Sequence, residues 1–220
     1  MSSRGTVRTA RHDHPVRPTH LIVDLGGVLF QFDHATRLRR LSTVLALSPA
    51  RVNDLLWTSG FSADCDAGDF ANAVEVREHF RAITDFAGTD DELDAAWCSA
   101  FRPDHRVRHA LELHRGSLRL ALFTNNGPLE EEVLRRQHPE MFDGFEHLLF
   151  SHHLGHRKPD PVAFTSALSR LSLSVDDVLF IDDNPDNVDA ARCQGWAAFQ
   201  FLGPESVEQV TGMGGPRCQV

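Results

Sequence analysis

Lysine is all but missing from this chain. Of 22 basic residues, 21 are arginine and one, Lys158, is lysine. A sequence that uses arginine wherever a cation will serve, yet keeps one lysine, points to a position where a planar guanidinium does not fit and a compact ammonium does. Cysteine is scarce as well. Cys65, Cys98, Cys193 and Cys218 are widely separated and lack the paired spacing of a thiolate metal site, so they read as reduced thiols of a cytoplasmic protein. No apolar run approaches the roughly 20 residues of a membrane span. Arg4, Arg8, Arg11 and Arg17 are followed by no apolar segment of the kind that makes a secretory signal. Positive charge is in deficit. A formal net charge of -9 argues against general nucleic-acid affinity, and an anionic substrate would need a local cation from a metal or a placed Lys or Arg.

What is present is ordinary for a globular protein: 220 residues, 41% hydrophobic and 24% charged, enough for a core domain with an insert. Residues 1–19, polar and interrupted by Pro15 and Pro18, read as a disordered tail. Leu21-Ile22-Val23 is a short apolar run that stops at Asp24 and turns through Gly26 and Gly27, which suits a strand buried on both faces. Strand character returns at Leu118–Phe123, Leu148–Phe150, Val178–Ile181 and Ala197–Leu202, with helical stretches between. Residues 34–103 carry helical periodicity and no clear strand. Helices are expected near 34–45, from Ser48-Pro49, over 69–86 and over 90–101, with a loop at 58–68. Leu38, Leu41, Val44, Leu55, Phe80 and Trp97 are expected as core positions there. Residues 203–220, rich in Gly and Pro, are expected to fray.

Strands alternating with helices predict a doubly wound parallel sheet, an α/β core made of residues 20–33 and 104–202 with a helical cap inserted at 34–103. In such sheets, functional groups gather beyond the carboxyl ends of the strands. Four segments place polar residues there: Asp24, Thr124-Asn125, Lys158 and Asp182-Asp183. Three carboxylates in one cleft repel each other unless a cation lies between them, and hard oxygen ligands suit Mg²⁺. An ammonium and a hydroxyl beside such a centre can hold phosphoryl oxygens, which leaves Asp24 as the natural nucleophile.

These four segments, Asp24-Leu-Gly-Gly-Val, Phe123-Thr-Asn, Gly155-His-Arg-Lys-Pro and Ile181-Asp-Asp-Asn, resemble the ordered motifs of the haloacid dehalogenase superfamily, over about residues 20–202. The helical insert resembles the all-α cap of its subclass I. Within the superfamily the motifs are similar to those of bacterial sugar-phosphate phosphatases of the α-D-glucose-1-phosphate phosphatase type, and more distantly to the phosphatase domain of soluble epoxide hydrolase. The resemblance implies Asp24 as nucleophile and metal ligand, the Gly26 carbonyl as a backbone ligand, Thr124 and Asn125 on the phosphoryl oxygens, and Lys158 neutralising nucleophile and phosphate. It implies Asp183 as a Mg²⁺ ligand, with Asp182 direct or through water. Arg157 would steer phosphate or serve as a surface cation. The expected substrate is a small phosphorylated metabolite, a sugar phosphate or similar, anomeric phosphates included, handled in the cytoplasm without nucleic acid or membrane.

One departure matters. Most phosphatases of the superfamily carry an Asp two residues after the nucleophile, which protonates the leaving alcohol and then activates water. Here that position is Gly26. Loss of a general acid/base costs on the order of 10²–10⁴ in rate. The enzyme would then use another group, prefer better leaving groups, or have kept binding and lost catalysis. Asp33, His34, His152, His153 and His156 are candidates to replace it, although Asp33 also suits a helix N-cap. Phe61, Asp64 and Asp66, in the Trp57–Asp69 stretch, could contact a sugar. Dehalogenation is the nearest chemical rival; the Asp182-Asp183 pair favours the phosphatase.

Overall fold

A computed structural model describes residues 18–114 and 116–212. β1 (His20–Val23) turns through residues 24–29 into β2 (Phe30–Phe32). The helical segment follows: α1 (His34–Leu45), α2 (Pro49–Asn53), a π-type turn (Asp54–Thr58), α3 (Phe61–Ala67), α4 (Ala73–Thr84) and α5 (Asp90–Trp97). β3 (Phe101–Pro103) then returns antiparallel to β2. The core continues through α6 (His105–Leu113), β4 (Arg119–Thr124), α7 (Pro128–Gln137), α8 (Pro139–Phe142), β5 (Phe145–Phe150), α9 (Ser151–Leu154) and α10 (Pro161–Leu171). It closes with β6 (Val178–Asp182), α11 (Pro185–Cys193), β7 (Ala197–Gln200) and α12 (Glu205–Gly212).

The main sheet has the order β5-β4-β1-β6-β7, and every neighbouring pair in it is parallel. β1 lies at its centre with all four residues buried, and Leu21, Ile22 and Val23 supply the apolar side chains that a strand between two helical layers demands. From β1 the chain winds outward through β4 and β5 on one side, then through β6 and β7 on the other. β1 is therefore the switch point, and the carboxyl ends of β4, β1 and β6 share one crevice. The helices start where their caps say they should. Asp33 accepts from the Thr36 N–H, Ser48 from Arg51, Asn72 from Val74 and Glu75, and Thr89 forms a capping box with Glu92.

The helical insert is tied down by a buried charge network. Arg77 of α4 donates to both oxygens of Asp94 in α5 (2.8 and 2.9 Å) and to Glu132 in α7 (2.6 Å); Arg136 of α7 reaches the same Asp94 (2.9 Å).

Several expectations are corrected. The stretch expected as a loop at 58–68 contains α3. Gly68 ends that helix with φ +91°, and a β-carbon there would collide with the His152 carbonyl, so only glycine lets α3 lie against α9. The 69–86 helix begins only at Ala73. The insert expected at 34–103 without a strand ends in one, β3 (Phe101–Pro103), which pairs with β2 about 70 residues earlier; three-residue strands give almost no periodic signal. The frayed end at 203–220 is corrected in part. α12 buries Val207 and Val210, and residues 213–220 lie outside the described residues. Residues 1–17 of the expected N-terminal tail likewise lie outside them, whereas the Thr19 N–H donates to the Asp177 carbonyl (2.8 Å). Val44 is exposed; Leu41, Phe80 and Trp97 are buried, and Leu38 and Leu55 pack at the core's edge. Among the described residues no helix is long and apolar enough to cross a membrane.

Candidate active site at the carboxyl ends of the central strands

Asp24 follows β1 directly, and its N–H extends the ladder to the Ile181 carbonyl of β6 (2.9 Å), which fixes the backbone that carries the carboxylate. The single lysine points into the same place. Lys158 Nζ is buried and donates three hydrogen bonds: to Asp24 Oδ1 (2.8 Å), to the Phe123 carbonyl (2.7 Å) and to Asp182 Oδ2 (2.6 Å). Those are all the protons an ammonium has. The Phe123 and Phe180 rings close over it, with centroids 4.9 and 5.3 Å from Nζ. Asn125 holds the lysine's backbone from both sides. Its Oδ1 accepts from the Lys158 N–H (2.9 Å), and its Nδ2 donates to the Lys158 carbonyl (2.7 Å). The Thr124 hydroxyl accepts from Asn126 Nδ2 (2.7 Å) and is buried.

The two aspartates at the end of β6 differ in their surroundings. Asp182 is fully buried. Its Oδ1 accepts from the Asn184 N–H (2.9 Å) and its Oδ2 from Lys158; Asn187 Nδ2 bridges both oxygens (3.1 Å each). Asp183 is exposed and lies against Gly27. Ligand oxygens of Asp24, Asp182 and Asp183 all lie within 4.8 Å of one another.

Three carboxylates and one ammonium leave the cluster short of positive charge. Burial pushes the Asp24 carboxyl up to about 7; Lys158 opposes this and the Asp182 and Asp183 charges add to it. Burial and Asp182 likewise raise Asp183. Burial works against the charge on Lys158, and Asp24 and Asp182 overcome it, so the ammonium persists well past neutral pH. Such a set of hard oxygens with a net negative charge fits a divalent cation such as Mg²⁺.

Above the cluster is a cavity of about 560 Å³ between core and cap. Asp24, Thr124, Asn125, Lys158 and Asp183 form its floor. Phe32, Trp57 and Phe101 give it aromatic walls, and His34, Arg37, Asp66, Glu130 and Arg157 bring charge or a titratable ring to it. The position of Gly26 is informative. A β-carbon there would stand 3.5 Å from the Phe101 ring and 3.7 Å from the Phe32 ring, in ordinary contact. The place where an acid would grow is therefore faced by two rings brought together by the β2–β3 pairing.

Sequence reasoning missed Arg37 and Glu130. Arg37 is buried among the Phe32, Trp97 and Phe101 rings, its Cζ 5.1–5.4 Å from their centroids, and lies 3.6 Å from Glu130. Glu130 Oε1 accepts from the Trp97 indole N–H (2.6 Å). Nε and Nη2 of Arg37 and Oε2 of Glu130 are buried without a hydrogen bond to protein. One arginine among many, and a glutamate in the first turn of a helix, carry no signal of this in sequence.

The proposed substitutes for the missing acid separate. His152 and His153 reach Glu131 (2.9 and 3.3 Å) in a groove other than this cavity, and His156 lies 3.7 Å from Asp160. Asp33 caps α1. His34 and Asp66 line the cavity; Phe61 is buried and Asp64 exposed, neither among the cavity's walls. Arg157 lies 3.5 Å from Asp66.

Fold and site together define an α/β protein that gathers three aspartates and one lysine at the switch point of its sheet. Over residues 19–195 the chain matches the haloacid dehalogenase-like hydrolases, and it belongs to that family. It is 31% identical to phosphatase MT3486 of Mycobacterium tuberculosis over 189 residues, covering 81% of this chain and 85% of that protein. It is 37% identical to drimenol cyclase drtB of Aspergillus calidoustus over 202 residues, which is 86% of this chain but only 35% of the cyclase. In structure it resembles HAD family enzyme BT-2542 of Bacteroides thetaiotaomicron, with a TM-score of 0.73 at 20% identity, covering 84% of this chain and 93% of that one. That enzyme has been crystallised with magnesium and inorganic phosphate.

Proposed function

We propose that this hydrolase is a magnesium-dependent phosphatase of small phosphomonoesters that carries the phosphoryl group on Asp24. The observation behind this reading is the buried Asp24–Lys158–Asp182 cluster at the floor of a cavity large enough for a small ester. Asp24, Asp183 and the Gly26 carbonyl, with Asp182 direct or through water, would hold a Mg²⁺ ion, which would screen the anionic nucleophile from the anionic phosphate. Lys158 fixes Asp24 by Oδ1 and directs its other oxygen at phosphorus. Thr124 and the Asn125 loop present hydrogen-bond groups to the phosphoryl oxygens, and Arg157 draws the dianion toward the floor. Asp182 and Asn187 hold the ammonium in place. The phosphatase relative and the magnesium and phosphate complexes of BT-2542 support this reading. Work in the cytoplasm agrees with thiols left unpaired at Cys65, Cys98 and Cys193.

A second reading concerns the alcohol. The sequence alone suggested a sugar phosphate. The walls of Phe32, Trp57 and Phe101 favour an alcohol with an apolar body, and one relative of this chain is a sesquiterpene phosphatase, astK of Aspergillus oryzae, 26% identical. Both readings are tested by Mg²⁺-dependent phosphate release from a panel of an aryl phosphate, sugar 1- and 6-phosphates, nucleotides and a prenyl monophosphate, with Asp24→Asn as the blank. Release from none of them by folded protein rejects the phosphatase. Preference for the prenyl ester over the sugars supports the apolar pocket, and the reverse rejects it.

A further inference from the structure

We propose that Asp66, carried by the cap helix α3, is the general acid and base of the reaction, in the role that Gly26 cannot fill. This rests on the phosphatase reading above. When Asp24 attacks phosphorus, the bond from phosphorus to the alcohol oxygen breaks and the electron pair leaves with that oxygen. An alkoxide is a poor leaving group unless a proton meets it. The lining of the cavity offers few groups to supply one. Lys158 has all three protons committed to Asp24, Phe123 and Asp182. Asp24 and Asp183 belong to the anionic cluster. Glu130 accepts the Trp97 indole N–H at Oε1 and lies 3.6 Å from Arg37, while its Oε2 has no protein partner, so Glu130→Gln is tested beside Asp66→Asn. His34, packed edge-on against Trp57, is shifted toward its neutral form by burial, which weakens it as a proton donor. Asp66 is left.

Its surroundings suit the task. Burial raises its carboxyl well above the usual carboxylate range, the Glu130 charge raises it further, and Arg157 and Arg37 pull the other way. The charged groups acting on it are Glu130 from α7, Arg37 from α1 and Arg157 beyond α9, with His34 of α1 lining the same cavity; His152 and His153 of α9 turn aside to Glu131. The backbone that carries Asp66 is fixed to the core, because the Ser151 hydroxyl donates to the Asp66 carbonyl (2.6 Å) and Gly68 lies against His152. In the first half-reaction the Asp66 carboxyl gives its proton to the departing oxygen. In the second the carboxylate takes a proton from the water that attacks phosphorus, which releases inorganic phosphate and restores both Asp24 and protonated Asp66.

The test compares kcat/KM, which reports the first half-reaction, for an aryl phosphate and a primary alkyl phosphate in wild-type protein, Asp66→Asn and Glu130→Gln. For Asp66→Asn the alkyl ester is expected to lose on the order of 10²–10⁴ in kcat/KM, while the aryl ester, whose leaving group needs no proton, changes by less than about tenfold. The wild-type alkyl profile should fall at high pH as Asp66 gives up its proton, and this limb should vanish in Asp66→Asn. Glu130→Gln removes a charge that raises Asp66, so the same limb should move to lower pH with the proton donor still present. Equal losses on both esters in Asp66→Asn, or a high-pH limb that stays in it, overturn the Asp66 assignment. If no ester of either kind is hydrolysed above the Asp24→Asn blank, the phosphatase reading itself fails and takes this one with it, an outcome distinct from equal losses.

Discussion

The carboxylate of Asp183 occupies the space that a β-carbon on Gly27 would fill, and Gly27 itself has a φ of +85°. The two residues come from different strand ends, β1 and β6, and their contact sets how near Asp183 stands to Asp24. Gly27→Ala must either push Asp183 away or shift the turn, with backbone strain in both cases. It is expected to raise the Mg²⁺ concentration for half-maximal phosphate release by about 10–100-fold, the range seen when a ligand's support is disturbed. A magnesium titration of folded variant and wild type checks this.

Lys158 stands where an arginine cannot. A guanidinium would have to place a planar fork between Asp24 Oδ1, the Phe123 carbonyl and Asp182 Oδ2, under two phenyl rings. Lys158→Arg keeps the charge and is expected to lose about 10²-fold or more in kcat, comparable with loss of a donor that stabilises developing charge. Lys158→Met leaves Asp24 and Asp182 buried without their cation and should cost about 3–5 kcal/mol in a urea unfolding measurement in the absence of magnesium. Added Mg²⁺ should recover part of that stability by replacing the missing charge.

Asp94 joins cap to core. It takes two bonds from Arg77 and one from Arg136, and the Arg77 side chain is only 7% exposed. Asp94→Ala removes the partner and leaves a buried guanidinium with Glu132 alone. The expected loss is about 3–5 kcal/mol, readable as a lowered midpoint in thermal unfolding.

Gly26 is a glycine of a different kind from Gly27. A β-carbon fits there at 3.5 Å from Phe101, so Gly26→Asp is expected to fold. Its carboxyl would enter the cavity between the Phe32 and Phe101 rings and Asp24. In an Asp66→Asn background it should recover about tenfold or more of the lost kcat/KM on alkyl phosphates, since a positioned acid contributes at least that much. No recovery in a folded double variant would show that the two positions do not serve the same oxygen.

The floor of the site was legible in sequence because its chemistry sits on short contiguous segments. Asp24 follows β1 directly, Thr124-Asn125 straddles the end of β4 and Asp182-Asp183 the end of β6, and a parallel sheet brings such ends together. Lys158 stood out by rarity alone. The upper half of the cavity was not legible. Arg37, Glu130, Phe32 and Phe101 become neighbours only through the pairing of two three-residue strands and the approach of Arg37 in α1 to Glu130 in α7, and long-range contacts of that kind leave no local pattern. Asp66 was visible only as one of several polar residues in a stretch that read as a loop. What marks it is the α3 helix that carries it and the Glu130 charge beside it, and neither follows from spacing.

The most direct test of the central assignment is a single-turnover reaction with an aryl phosphate and Mg²⁺, quenched in acid, with the peptide containing Asp24 analysed by mass spectrometry. A phosphoryl group on Asp24 that appears and then decays as inorganic phosphate is released is the expected result, absent in Asp24→Asn. Phosphate release at the normal rate with Asp24 never phosphorylated, or retained in Asp24→Asn, would contradict it.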